Sequence, residues 1–405
     1  MEYQFLTLEW FLKNGVPKIV GDDNRFSVGD VEYNKIVICP LVIDFGYKTS
    51  HKSIYYGLTP KRPIANQVGD LLYAIRTYFR FDLLVNDDKK MELSKDHYEG
   101  LNKSERRKVF NARKHGKLFE IYPFMGLDTR NYSLDEIKDL VDKYFCKFTD
   151  EPAAVRKKRL FAKMGELDSN MYRKWRDEDK DAYADIFAGI KLYPQLGFDP
   201  WPDNPKNFAS PKDMKSEMEK VAFLYEQCVA KRIPIITHCS DGGFKVGDFD
   251  KLTTPDKNGQ WQKALAEYKN LTLDFAHFGA ESQPGKESKK HNWRNAIVAL
   301  TNDYPNVYAD ISCSDSDPKS IEYVMLEELL NRPPKKKIVN YPQNPNPDLL
   351  EHILFGSDFS INLLASKTHS YNECLKAFFD ANLTGKTKLC SANPEKFLFG
   401  QKSPK

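Results

Sequence analysis

Short, continuously apolar segments alternate along the chain with longer segments whose apolar positions recur at helical spacing. Strands that are apolar at every position, rather than at alternate positions, are typical of a parallel sheet covered on both faces. Eight such segments predict buried strands, at residues 35–43, 81–85, 118–124, 187–193, 233–237, 271–276, 307–311 and 352–355.

Helical periodicity fills most of the intervals between these strands. Ser133 followed by Glu136 has the pattern of a capping box, which predicts a helix over 133–145. A Ser-Pro pair predicts the start of a second helix, over 210–231. Further helices are predicted at 261–268, 291–303, 320–330 and 371–382.

The alternation of strands and helices predicts an α/β protein with a parallel sheet. Eight units in about 350 residues favour a (β/α)8 TIM barrel over a doubly wound open sheet. The nucleotide-binding forms of the open sheet are disfavoured because the chain has no GxGxxG after an early strand and no GxxxxGK[ST] motif.

Three segments interrupt this alternation. The charged segments 87–117 and 151–185 are predicted to be helical insertions, and 331–348 is a Pro- and Asn-rich loop. Insertions between a strand and its helix surround the active site of a barrel. The whole chain, 1–405, is therefore predicted to be a single barrel domain with insertions.

Composition limits the kinds of partner. Lysine and arginine number 61 and aspartate and glutamate 57, a net charge of +4, which gives no reason to expect a nucleic-acid or membrane partner. The seven cysteines form no CxxC pair, which favours a reducing compartment. Without a basic segment before an early apolar run, or an apolar stretch of about 18 residues, we expect a soluble, cytoplasmic protein.

Chemically reactive side chains lie at the ends of four predicted strands. Lys191 lies in the fourth strand, His238 follows the fifth, His277 follows the sixth, and Asp358 follows the eighth. In a barrel, the carboxyl ends of the strands meet at one mouth. Two imidazoles and a carboxylate placed there could bind one divalent metal ion, most simply zinc with an open position for water.

Six segments in the second half of the chain resemble the amidohydrolase superfamily. The resemblance is to the branch that contains aminocarboxymuconate-semialdehyde decarboxylase and dicarboxylate lactonases, and it spans about residues 187–400. The matching segments, in family order, are GIKLYPQLGFDPW (189–201), IPIITHCSDGG (233–243), LTLDFAHFGAE (271–281), NVYADIS (306–312), ILFGSDFS (353–360) and ANPEKFLFG (392–400).

The resemblance implies a (β/α)8 barrel with a metal-dependent hydrolytic site. It implies that His238 is a metal ligand and that His277 is a ligand or a catalytic imidazole. It also implies that Asp358 is both a metal ligand and the general base that takes a proton from metal-bound water. Lys191 could meet a substrate carboxylate as a point charge, and Tyr193 could form part of an apolar wall of the substrate pocket.

The chain departs from the family at the first strand, where a His-x-His motif is usual. Asp44 can align with the aspartate that precedes that motif, which puts Gly46 and Lys48 at the histidine positions. The sequence contains no His-x-His anywhere. Two of the usual metal ligands are therefore missing.

Three interpretations of this departure compete. In the first, Asp44 completes a rebuilt metal site with His238 and Asp358, and zinc, manganese or iron is bound. In the second, no metal binds, His277, Asp358 and Lys191 carry the chemistry, and Lys48 replaces part of the metal's charge. In the third, the protein is a degenerate, non-catalytic barrel that only binds a ligand.

The sequence favours a hydrolase of this family that acts on a small carboxylated substrate or a cyclic ester or amide, or a decarboxylase of the same branch. The expected cofactor is one divalent metal ion, zinc in the first instance. The expected partner is a small molecule. Homo-oligomers are common among such barrels, although the sequence indicates no interface.

Overall fold

The computed structural model describes about three fifths of the chain. The described residues are 16–45 (without 22 and 24), 64, 67–69, 71, 83–85, 91–93, 100–113, 118–149, 151–168, 184–245, 250–280 (without 258), 293–312, 348–358 and 385–400. The helices predicted at 320–330 and 371–382, and the predicted loop at 331–348 except for its last residue, lie outside them.

Strands and helices alternate through most of the described residues. The strands are β1 (Phe26–Val28), β2 (Val31–Tyr33), β3 (Ile36–Ile38), β4 (Leu83–Val85), β5 (Met91–Leu93), β6 (Phe119–Ile121), β7 (Phe124–Gly126), β8 (Gly189–Leu192), β9 (Ile235–Ser240), β10 (Leu273–Ala280), β11 (Val307–Asp310) and β12 (Ile353–Leu354). The helices are α1 (Val16–Ile19), α2 (Lys103–Arg113), α3 (Leu134–Tyr144), α4 (Ala153–Asp168), α5 (Pro211–Lys231), α6 (Asp250–Thr253), α7 (Gln260–Glu267), α8 (Trp293–Asp303) and α9 (Asn393–Phe399).

The main sheet has six strands in the order β12-β11-β10-β9-β8-β7, and every neighbouring pair is parallel. At its β7 edge, Leu41 forms a parallel bridge with Phe124. The preceding strand, β3, pairs in parallel with β6. Strands and helices that alternate around a parallel sheet form the (β/α)8 barrel that the sequence predicts.

The main sheet curves around the C-terminal helix, α9. The ring of Phe397 in α9 stacks on Phe124 of β7, with centroids 6.3 Å apart, and meets Tyr308 of β11 edge-on at 5.4 Å. Three strands separate β7 from β11 in the sheet. One side chain can reach both strands because the sheet is bent, as barrel geometry requires.

Local sequence accounts for the ends of α3 and α5. Ser133 accepts the backbone N–H of Glu136, whose carboxylate accepts the backbone N–H of Ser133, so the predicted capping box of α3 is confirmed. Ser210 caps α5 in the same way through the N–H of Asp213. At its other end, Arg232 turns the chain with a left-handed φ of 52°.

One hydrophobic core joins the sheet to its helices. Trp261 of α7 is fully buried, and its ring meets Phe275 of β10 edge-on at 5.9 Å. Trp293, at the start of α8, is also buried. No helix within the described residues is both long and apolar enough to cross a membrane.

The second predicted strand does not join the parallel sheet. Residues 83–85 form β4, which pairs antiparallel with β5 in a two-stranded sheet. An antiparallel pair can close through a short turn and needs no place in the parallel sheet. Within the two charged insertions, the predicted helices are confirmed as α2 and α4, whereas residues 91–93, also predicted to be helical, form strand β5.

Asp199 gives the fold a specific pH dependence. The side chain lies buried after β8, and burial raises its pKa from 3.8 to about 6, although the N–H of Trp201 donates to it. The folded state therefore holds this proton at pH values where the unfolded chain has released it. Stability should fall as pH rises from about 4 to 6, by about 3 kcal/mol in total.

Urea unfolding of the wild type and Asp199→Asn between pH 4 and pH 7 measures this contribution. The wild type is expected to lose stability relative to Asp199→Asn as pH rises through that range. If the difference in unfolding free energy between the two proteins stays constant from pH 4 to pH 7, the Asp199 carboxyl has the same pKa in the folded and unfolded states.

Candidate active site

The register of the parallel strands brings the predicted site residues to one face of the sheet. Lys191 of β8 lies opposite Ile236 of β9, and His238 of β9 lies opposite Ala276 of β10. Side chains two residues apart on a strand point to the same face, so Lys191 and His238 share that face. His277 follows Ala276 at the same end of the sheet.

The imidazoles of His238 and His277 are in direct contact. His238 Nδ1 lies 3.2 Å from His277 Nε2. The outer nitrogens face carbonyl oxygens: His238 Nε2 is 3.0 Å from Gly242 O, and His277 Nδ1 is 3.0 Å from Ser312 O. Because a carbonyl only accepts hydrogen bonds, we assign a hydrogen to each outer nitrogen. In the neutral rings, the two inner nitrogens then present lone pairs to each other.

His238 is held in a buried, aromatic environment. Tyr193 stacks on its ring with centroids 4.2 Å apart and an interplanar angle of 9°. The Tyr193 hydroxyl accepts the N–H of Phe244, which fixes the loop after β9. Burial lowers the pKa of His238 well below its usual value, and the nearby His277 and Lys191 lower it further. His238 is therefore a neutral imidazole at ordinary pH.

His277 adopts an unusual backbone conformation. Its φ is 66°, and Phe278 and Gly279 follow with φ values of 48° and 64°. The pairing of β9 with β10 shifts register between Ala276 and Ala280, so these residues form a bulge inside β10. Left-handed non-glycine residues are strained and cluster at functional sites, and here the turn re-aims His277 towards His238.

Lys191 is buried and interacts electrostatically with His238. Burial lowers the pKa of its ammonium group, while Asp310, Asp274 and Asp358 oppose that shift. Its Nζ lies 5.6 Å from the centroid of the Tyr193 ring. Lys191 is thus a cation enclosed by three carboxyl groups and an aromatic ring.

Asp358 follows β12 and interacts electrostatically with Lys191, His277 and Asp310. Burial raises its pKa, Asp310 raises it further, and His277 and Lys191 lower it. Its φ of 45° is left-handed, which aspartate tolerates better than most residues. The structure therefore brings together Lys191, His238, His277 and Asp358, as the sequence predicts.

Two carboxyl groups of the site were missed by the sequence reasoning. Asp274 lies in β10, and Asp310 ends β11; both are buried, and their carboxyl groups are hydrogen-bonded to each other. Burial and Asp310 raise the pKa of Asp274, whereas His277, Ser312 and Asp274 hold that of Asp310 low despite burial. Each is a lone acid in an apolar strand, a signal that could have revealed them.

Asp44 is directed towards the turn after β7. One of its oxygens accepts the backbone N–H of Asp128 at 3.0 Å, and the other accepts the side-chain amide of Asn131 at 2.8 Å. In the part of the chain that the structure describes, no three His, Cys, Asp or Glu side chains are grouped so as to hold a metal ion. The trio of Asp44, His238 and Asp358 is therefore not assembled as the first interpretation expects, because Asp44 is oriented by the turn. Lys48 lies outside the described residues.

Comparison with known proteins identifies the family. The amidohydrolase family model matches residues 176–400, more than half of the chain. The chain has a barrel fold with reactive side chains at the carboxyl ends of its strands, and it belongs to the amidohydrolase family. No curated protein matches the chain.

Two solved structures resemble the chain at low similarity. An uncharacterised TIM-barrel protein from Bordetella bronchiseptica is 12% identical, with a TM-score of 0.37, over 90% of this chain and 98% of its own. A protein from Lactobacillus casei ATCC 334, provisionally named a metal-dependent hydrolase, is 14% identical, with a TM-score of 0.33, over 96% of this chain and 94% of its own.

Proposed function

We propose that this protein is a metal-dependent hydrolase that opens a small carboxylated substrate, either a cyclic ester or a cyclic amide. Decarboxylation of a small acid is the other reaction that the same groups could perform. The observation that carries the proposal is the pair of imidazoles whose inner nitrogens lie 3.2 Å apart, with Lys191 and Asp358 close enough to interact with them. The proposed active unit is one barrel domain that takes a small molecule.

The two imidazoles fit a divalent metal ion. His238 Nδ1 and His277 Nε2 present lone pairs 3.2 Å apart, and two nitrogens bound tetrahedrally to one zinc ion are roughly 3.3 Å apart. In the described residues no third His, Cys, Asp or Glu side chain completes a group with these two nitrogens, so water or substrate oxygens would take the remaining positions. Asp358, which interacts electrostatically with His277, would lie close by. Such an ion, zinc first and manganese or iron next, would polarise a carbonyl and acidify a water molecule.

Asp358 is the proposed general base. Burial raises the pKa of its carboxyl group, which makes the ionised form a stronger proton acceptor than an exposed aspartate. His277 and Lys191 oppose that shift, so the ionised form remains accessible near neutral pH. A metal ion held by His238 and His277 would stabilise the negative charge that develops on the substrate oxygen.

Lys191 is the cation placed to meet a carboxylate of the substrate. It interacts with three carboxyl groups, those of Asp274, Asp310 and Asp358, and burial together with Asp310 raises the pKa of Asp274, which favours its neutral form. A substrate carboxylate is therefore the proposed partner of Lys191.

Metal content tests the proposal directly. Protein purified without chelator is expected to carry about one equivalent of zinc, manganese or iron, measured by elemental analysis. His238→Ala should lose that metal because it removes one of the two facing nitrogens. His352→Gln is the matched control, since His352 bonds the carbonyl of Val307. Wild-type protein that stays metal-free after incubation with excess zinc, manganese and iron would overturn the metal dependence.

Turnover separates the reaction classes. Lactones, cyclic amides and ring carboxylic acids, each with one carboxylate, form the substrate panel. Acid release in a pH-stat would indicate hydrolysis, and carbon dioxide release would indicate decarboxylation. A metal-loaded protein that turns over no member of the panel but binds one by calorimetry would support the non-catalytic barrel instead.

A further inference from the structure

Asp310 bonds the backbone on both sides of the histidine contact. Its Oδ1 accepts the backbone N–H of His277 at 3.1 Å and that of Ser312 at 2.8 Å. The first bond holds the start of the left-handed turn in β10, and the second holds the segment that follows β11. One carboxylate oxygen therefore ties together two segments that lie 33 residues or more apart in sequence.

Ser312 in turn fixes the ring of His277. Its carbonyl oxygen lies 3.0 Å from His277 Nδ1, and its hydroxyl lies 3.1 Å from the same nitrogen. Because the carbonyl must receive a hydrogen, Nδ1 keeps it and Nε2 is left with the lone pair that faces His238. The orientation of the Ser312 carbonyl thus selects the tautomer of His277.

Asp310 is itself held in place as an acceptor. Asp274 hydrogen-bonds to its carboxylate, and the side chain lies against the end of β12. A methyl group added at Gly356 would stand 3.4 Å from Asp310 Oδ1 and 3.0 Å from Ser312 Cβ. Glycine at 356 is therefore what lets Asp310 and Ser312 pack closely beside the strand that leads to Asp358.

From these contacts, we infer that Asp310 is a positioning residue. Through the backbone of His277 and Ser312, it fixes the His277 tautomer that directs Nε2 to the point shared with His238. The inference rests on the proposed function, because only there does the tautomer serve to bind a metal ion. The tautomer itself can be measured in the metal-free protein. Groups that orient a histidine through its second nitrogen commonly change metal affinity about 10–100-fold when removed.

Nuclear magnetic resonance of protein labelled with ¹⁵N-histidine tests this inference. Long-range ¹H–¹⁵N correlation shows which ring nitrogen carries hydrogen, and His277→Gln identifies the His277 signals among the eight histidines. The metal-free wild type should show hydrogen on Nδ1 of His277. Asp310→Ala should lose this pattern, and Asp310→Asn, which keeps one acceptor oxygen, should retain it.

Matched variants separate positioning from general damage. Asp274→Asn changes the buried acid pair but removes neither N–H acceptor, so it should keep the His277 pattern. Gly356→Ala removes no polar group, but its methyl group would displace Ser312, so it should disturb the His277 pattern. This variant replaces Asp310→Ala in the test if Asp310→Ala does not fold. Circular dichroism establishes that each variant tested is folded.

Zinc affinity gives the second readout. Asp310→Ala should bind zinc about 10–100-fold more weakly than Asp310→Asn in competition with a chromogenic chelator. The inference is wrong if Asp310→Ala folds and still shows the wild-type His277 tautomer. If Asp310→Ala does not fold, the same result for Gly356→Ala overturns it. If the wild type shows hydrogen on Nδ1 of His277 but binds no metal, the proposed function is wrong and the positioning role of Asp310 stands.

Discussion

Asp358→Asn is expected to reduce kcat by roughly 10²–10⁴-fold while KM changes little. The amide cannot accept the proton that the carboxylate takes from the attacking water. Asparagine also tolerates the left-handed φ of 45° at this position, so the variant should fold like the wild type. The measurement is steady-state kinetics on whichever panel substrate the wild type hydrolyses, with thermal unfolding as the check on the fold.

Asp303→Asn is a matched control for this change. Asp303 ends α8 and is exposed, and it precedes β11, whose other end carries Asp310. Its kcat should equal that of the wild type. An Asp358→Asn protein with full activity would show that another group takes the proton, and the general-base role would be wrong.

Arg156→Ala is expected to cost about 3–5 kcal/mol of unfolding free energy. Arg156 is fully buried in α4, where it pairs with Glu151 at 3.3 Å. Its guanidinium also donates to the carbonyl oxygens of Lys231, at 2.6 Å, and of Arg232. Arg159 still pairs with Glu151, but the alanine leaves the carbonyl oxygens of Thr149, Lys231 and Arg232 without this donor, in a region largely closed to water.

Urea unfolding measures this cost, and two variants calibrate it. Arg25→Ala removes an arginine from an exposed ion pair and should cost about 0–1 kcal/mol. Arg156→Lys keeps the charge without the planar fork, so its cost should lie between those of the two alanine variants. Equal costs for Arg156→Ala and Arg25→Ala would show that the bonds between α4 and α5 add nothing to stability.

The sequence predicted the strands of the barrel because each is a local apolar run. Seven of the eight predicted strands lie in parallel pairings in the described residues, and β4 does not. A short apolar run fits a parallel strand or a hairpin equally well. The choice for 81–85 depends on whether β5 is close enough to pair, which periodicity does not report.

The same local pattern located four of the six reactive residues that the site brings together. His238, His277 and Asp358 were predicted because each directly follows an apolar strand, and Lys191 because it interrupts one. Asp274 and Asp310 also interrupt strands, yet their importance appears only when the sheet places them against Lys191. The resemblance to the family assigned no role to these two residues, so they were not predicted as part of the site.

Asp44 shows the opposite case. Its alignment with the family's first strand made it a candidate ligand, but the side chain bonds the turn at Asp128 and Asn131. Alignment fixes the position of a residue along a strand. The direction of its side chain depends on which donors the neighbouring strand brings close.

The sequence by itself determined the fold class, the helix caps and the reactive residues at the strand ends, because these depend on periodicity and on neighbours a few residues away. Only the tertiary structure decided how those residues meet. His238 and His277 are 39 residues apart, His277 and Asp310 are 33, and Asp44 and Asp128 are 84. Contacts over such separations follow from strand order, register and the bulge in β10, which no local pattern encodes.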